Sequence, residues 1–286
     1  MPYRVMDSMA GHGLMVRMGT VWDRAVEVLR GRANILAPIA IGAIFVPSVV
    51  NRALVLFADP ASRTTAIVAA VVALLVLLAN IWGQLAMLAV ATHPATTRDD
   101  AARQATVRLL PALGVILMLG VLFALALVPP VIALMRAGVD FSQPTAMQSV
   151  PAGASGFIGL YTIAFVILAL FVGARMLLLN PVILNERRGL GAIARSFRLT
   201  RGLTWRIAAV MVLFAIVLLV PTLAVQSIVG LIARLALGAE SLPVVTFLAS
   251  VAGAAVTTVF SVVAAAFTAQ LYVATVAENG EVPLGG

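Results

Sequence analysis

A chain of 286 residues that is 62% hydrophobic and only 10% charged does not fit a soluble globule, in which about a quarter of residues are charged and so much apolar surface would have to be hidden from water. The net charge of +8 rests on 19 basic residues, all arginine, and in a membrane protein such an excess marks cytoplasmic loops and not a nucleic-acid partner. The absence of cysteine excludes disulfides, thiolate metal sites and cysteine nucleophiles, and the absence of lysine excludes a Walker A phosphate loop.

Residues 1–33 are mixed and charged and lack the short apolar core of a signal peptide near Met1. Within them Trp22, Ala25, Val26 and Leu29 share one helical face, with Asp23, Arg24, Glu27 and Arg30 turned away. This is the pattern of a helix lying in the headgroup plane. The first run long enough to cross a bilayer, about 17–25 residues, is Asn34–Val50, and the second is Ala66–Val90, which carries Asn80 and Gln84. Asp99–Leu110 repeats the amphipathic pattern more weakly, its Asp99-Asp100 pair suiting a helix N-terminus.

The third span is Pro111–Leu134, followed by a proline- and glycine-rich connection over 136–156 that predicts irregular structure. Phe157–Leu179 is the fourth span and holds Arg175; residues 185–206 form a strongly basic segment. There Leu190, Ile193, Ala194 and Phe197 predict an apolar stripe against Arg195, Arg198 and Arg201. Ile207–Leu231, with Gln226, and Val244–Ala277, with Gln270, complete six spans before a tail of residues 278–286. Bends are expected at Pro38, Pro47, Pro129, Pro130 and above all Pro221, and Gly42, Gly159, Gly173 and Gly253 are expected at close helix contacts.

Five arginines precede the first span, Arg98, Arg103 and Arg108 precede the third, and six lie from Arg187 to Arg206. The opposite ends hold only Arg52, Arg63, Arg136 and Arg234. The positive-inside rule therefore places both termini in the cytoplasm. The alanine-, leucine-, valine- and arginine-rich composition points to the inner membrane of a bacterium with a GC-rich genome.

The spacing also predicts an internal repeat. Arg24 and Arg30-Gly31 recur at identical spacing as Arg195 and Arg201-Gly202, and Gln84, Arg175 and Gln270 stand 91 and 95 residues apart at the inner ends of the even-numbered spans. The expected fold is an all-α membrane protein of three hairpins, each preceded by a basic interfacial helix and related by a pseudo-threefold axis that brings Gln84, Arg175 and Gln270 together.

The segment NPVILNERRGLGAIARSFRLTRGLTWR, Asn180–Arg206, resembles the membrane domain of the glycerophosphoryl diester phosphodiesterases through Pro181, Glu186, Gly189, Ala192, Arg195-Ser196, Leu199-Thr200, Gly202 and Trp205-Arg206. The resemblance implies a six-span bundle with amphipathic helices before its spans. It implies no phosphodiesterase activity, because in the fused enzymes hydrolysis belongs to a separate soluble domain, whereas here only ENGEVPLGG follows the last span and the histidines are His12 and His93.

Two readings stand for Arg175, snorkelling to the interface with a structural hydrogen bond or holding a lipid headgroup or other anion. Glu186 is expected to pair with Arg187, Arg188 or an arginine of another repeat, while Arg195, Arg198, Arg201 and Arg206 suit phosphate groups. Neither an HExxH motif nor any other catalytic constellation is present, and no cofactor or metal is implied. The expected function is non-enzymatic: an accessory subunit or lipid-interacting scaffold whose basic collar meets anionic phospholipids or a membrane-protein partner. The alternative is a transporter with a path near Gln84, Arg175 and Gln270.

Overall fold

The computed structural model describes residues 17–59, 62–139, 152–186 and 190–279. Among these the chain is all-helical, and six helical stretches are long and apolar enough to span a membrane: Met18–Phe57, Arg63–Thr92, Arg98–Arg136, Gly153–Asn185, Thr204–Leu237 and Leu242–Glu278. The protein is a multi-pass membrane protein. The tail beyond Asn279 and most of the 136–156 connection lie outside the described residues.

Helix α1, Met18–Ala40, begins as the amphipathic segment and runs into the first span, with one non-helical residue at Arg32. A π-helical turn, Ile41–Phe45, passes it to α2, Val46–Phe57. Helix α3, Arg63–Thr92, returns, and α4, Arg98–Ala126, starts from a capping box in which Thr97 and Asp100 satisfy each other's backbone N–H. Helix α5, Val128–Arg136, follows a break at Leu127. That break is dictated by Pro130, which has no N–H for the Ala126 carbonyl; the Tyr161 hydroxyl donates to that carbonyl instead.

The fourth crossing is α6, Ala152–Met176, continued after a turn by the short α7, Leu179–Asn185. A separate interfacial helix α8, Gly191–Leu199, precedes α9, Thr204–Leu237, and α10, Leu242–Glu278, closes the bundle. Helix α9 carries Pro221 within its 34 residues without a break in helical assignment. Within the crossings the interruptions fall at Arg32, at the π-turn, at Leu127 and at Leu177-Leu178. A free-standing interfacial helix precedes only the fifth span, since the other two amphipathic segments are fused to their spans.

Helix α10 packs against α1, α3 and α9, α4 lies on α3, α6 lies on α9, and α7 is wedged among α3, α4 and α10. The main core is confined to one end of the bundle, the end carrying the arginine-rich segments. It takes in Ile81, Leu85–Ala91, Leu178, Leu179, Val182–Leu184, Ala265, Ala266 and Ala269 with Leu271, Tyr272 and Val276. At the opposite end the second core cluster is small, Leu134 and Val139 with Ala137 and Ile158. Five consecutive residues of α4, Val121–Leu125, are exposed, with Phe123 making an edge contact to Phe165 of α6.

Close approaches occur in both halves of the bundle. A Cβ added to Gly83 would meet the Cβ of Ala43 at 2.6 Å, so this glycine sets the spacing of α3 and the π-turn. Gly253 lies directly under the Gln226 amide, and Gly173 faces Met211. Gly42 and Gly159, expected at helix contacts, border open space instead.

Candidate functional site

Pro181 sits in the first turn of α7, where a missing N–H costs nothing. The apolar residues that follow, Val182–Leu184, are buried between the spans. Asn185 then ends the helix, donating from Nδ2 to the Pro181 carbonyl at 2.9 Å and meeting His93 Nε2 through Oδ1 at 3.2 Å. His93 itself terminates α3. Thus α7 pins the arginine-rich ends of the second and fourth crossings together.

Glu186 comes next and faces Arg195 of α8. The Arg195 Nε donates to both carboxylate oxygens, at 2.9 and 3.1 Å, and the side chains are only 7% and 5% exposed. The Tyr272 hydroxyl of α10 approaches the same carboxylate at 3.5 Å. A buried ion pair of this kind is strongly destabilising when one partner is removed, because the other charge stays buried. Glu186 is therefore paired as expected, but with Arg195; Arg187, Arg188 and the motif residue Gly189 lie outside the described residues.

The face of α8 that packs on the protein is Ala192, Arg195, Ser196 and Leu199, not the apolar stripe of the sequence pattern. Leu190 is exposed and Ile193 and Phe197 are half-buried. Lipid is as good a solvent for leucine as another helix is, so the apolar stripe has no drive to turn inward, whereas serine, threonine and paired arginine gain hydrogen bonds by doing so.

Those bonds clasp the last turn of α6. Ser196 Oγ donates to the Arg175 carbonyl at 2.7 Å, and Thr200 Oγ1 lies 3.3 Å from the same oxygen and 2.8 Å from the Ser196 carbonyl. In return the Arg175 Nη1 donates to the Phe197 carbonyl at 3.0 Å. Its guanidinium lies 5.4 Å from the Phe171 ring centre and 5.9 Å from that of Phe197, and its Nε is buried without a hydrogen bond. Helix α8 then ends at Thr200, and Gly202, at φ +86°, takes the left-handed conformation that turns the chain into α9. Trp205 follows, 74% exposed, its ring 6.3 Å from that of Phe171.

Motif residues Pro181, Glu186, Ser196, Thr200, Gly202 and Trp205 thus all belong to one junction, where they shape backbone and packing. Around it Arg198, Arg201 and Arg206 are exposed, whereas Arg195, grouped with them from its spacing, is occupied by Glu186.

The intramembrane amides serve separate helices. Gln270 is buried and donates to the Ala91 carbonyl at 2.8 Å; Asn80 bonds its own helix at Val76; Gln226 packs over Gly253. Gln84 is exposed. Arg175 bonds α8 and Gln270 bonds α3, with no hydrogen bond joining Gln84, Arg175 and Gln270 to one another.

Arg32 went unnoticed in the sequence. Its guanidinium donates to the Val90 and His93 carbonyls, both at 2.7 Å, and to that of Thr96, capping the C-terminal end of α3. The only local signal was its place directly after Gly31, where α1 loses helical geometry. Among the described residues no group of three or more His, Asp or Glu side chains could hold a metal ion. No protein-family model, curated protein or solved structure matches the chain.

Proposed function

We propose that this protein is a non-enzymatic lipid-interacting scaffold or accessory subunit of a bacterial inner membrane, with both termini cytoplasmic and its basic collar directed at anionic headgroups. The observation that carries this reading is the division of labour on α8. Arg195 is consumed in holding the helix down, and Arg198 and Arg201, with Arg206 at the start of α9, are left exposed beside Trp205. Arginines fixed at a membrane surface attract anionic lipid by about 1 kcal/mol each, and an exposed tryptophan suits the same interface. Arg175 has a hydrogen bond to protein and two aromatic neighbours, which supports its structural reading over that of a headgroup ligand.

The arginine count by loop supports the orientation. The threefold repeat draws support from two of three equivalent positions, since α4 runs unbroken through the third. As many residues separate Gly31 from Gly202 as Arg24 from Arg195, and Pro111 from Gly202 as Gln84 from Arg175. The equivalent positions hold a helix interruption beside Gly31, a proline inside α4 and the left-handed Gly202. Kinship with the phosphodiesterase membrane domain rests on the Asn180–Arg206 residues, which converge on one junction.

The test is reconstitution into nanodiscs of phosphatidylcholine and phosphatidylglycerol, with native mass spectrometry of the lipids retained. Wild type should retain phosphatidylglycerol in a salt-sensitive manner. Replacing Arg198, Arg201 and Arg206 together with alanine should lower that retention on the order of a hundredfold, at about 1 kcal/mol per arginine. Unchanged retention would sink the lipid reading. A stoichiometric membrane protein lost in the same variant would select the accessory-subunit form.

A further inference from the structure

A second amphiphilic feature lies on other helices. Helices α1 and α4 flank one face of α3 and leave a groove of about 420 Å³, lined by Pro38, Gly42, Ala43, Ala79 and Trp82 with Arg98 and Asp99 at one end. That volume falls within the range of about 300–1,000 Å³ typical of ligand pockets.

Two features keep the groove open. The π-turn Ile41–Phe45 forms part of its α1 wall, a local widening that in other helices often accompanies a functional site, and Gly42 within it has nothing within 4 Å of a built Cβ. The facing wall is fixed by Trp82, whose Nε1 donates to Thr106 Oγ1 at 3.0 Å, while that hydroxyl donates to the Ala102 carbonyl at 2.8 Å. The indole N–H is thereby used up and the ring presents an apolar face.

Arg98 and Asp99 are the charged residues of the lining. Both are exposed in the first turn of α4, and neither has a salt bridge among the described residues. An apolar slot with a cation and an anion side by side at its polar end matches a phospholipid that carries both a phosphate and an ammonium. A lipid with phosphate alone would leave Asp99 facing a like charge.

We propose that the groove holds one phospholipid of ethanolamine type from the adjacent leaflet, its phosphate on Arg98, its ammonium on Asp99 and the start of an acyl chain along Pro38, Gly42 and Trp82. The site shares no residue with the α8 collar and stands whether or not the collar binds lipid.

The experiment uses full-length protein with Arg198, Arg201 and Arg206 replaced by alanine, so that lipid held by the collar does not contribute. After reconstitution with equal phosphatidylethanolamine and phosphatidylglycerol, native mass spectra should show one phosphatidylethanolamine retained per chain in preference to phosphatidylglycerol. Adding Gly42→Leu should abolish it by filling the slot. Adding Asp99→Asn should lower the ethanolamine-to-glycerol ratio roughly fivefold, the scale of one exposed ion pair. Equal retention of the two lipids, no retained lipid, or a Gly42→Leu chain that retains lipid like its parent would each overturn the proposal. Should Gly42→Leu fail to fold, Asp99→Asn, a change at an exposed position, decides the matter, and an unchanged ratio overturns it.

Discussion

The two ends of this bundle are built from equally apolar helices and packed in opposite ways. At the arginine-rich end nearly every residue from Ile81 to Thr92 is buried, together with much of α7 and the last third of α10. At the other end Val121–Leu125 are all exposed, Leu160 is 71% exposed, and the second core cluster contains two buried residues. Hydropathy does not distinguish the ends, because lipid covers leucine and valine as well as a neighbouring helix does. Alanine, glycine and hydrogen-bonding side chains distinguish them. Arg32, Glu186, Arg195, Ser196, Thr200, Gln270 and Tyr272 all make their contacts at the packed end.

The sharpest way to break this contrast is Glu186→Ala. It removes the carboxylate from a buried Arg195 and should cost about 3–5 kcal/mol, read as loss of the monodisperse peak in detergent or a collapse of the thermal midpoint. Arg32→Ala should come next, at about 1.5–3 kcal/mol for hydrogen bonds from a charged donor, and amide exchange should rise selectively at residues 88–92.

A matched pair of glycines sharpens the comparison further. Gly83→Ala forces a Cβ against Ala43 and should cost about 1–3 kcal/mol. Gly159→Ala, in open space on α6, should cost nothing and gain up to about 1 kcal/mol of helix propensity. The smallest effect is expected of Leu160→Ala, within about 0.5 kcal/mol in thermal unfolding. A loss of 2 kcal/mol or more there would mean that the arginine-poor end is packed after all.

The number of spans was legible in the sequence because apolar runs of bilayer length have few other uses. The break before Pro129-Pro130 was legible for a local reason too, the missing N–H. The face α8 presents to the protein was not, because the apolar-stripe rule assumes that water lies outside. Long-range partners were equally hidden. Nothing near Arg32 marks its reach across 58 residues to Val90, and nothing near Glu186 singles out Arg195 from the arginines beside it. Glu186 and Arg195 were noticed as residues, but which arginines stay exposed emerged only from the packing.

The bond from Gln270 to the Ala91 carbonyl also has a meaning in time. Its acceptor emerges from the ribosome 179 residues before its donor, an interval of about 9–36 s at ~5–20 residues per second. Until the sixth span arrives, the arginine-rich end of the second has only its earlier ties, and Glu186 lacks the approach of Tyr272. A helix made late, α10, is therefore the one that locks the first ones in place, and a chain halted after α9 carries five spans with their shared end unfastened.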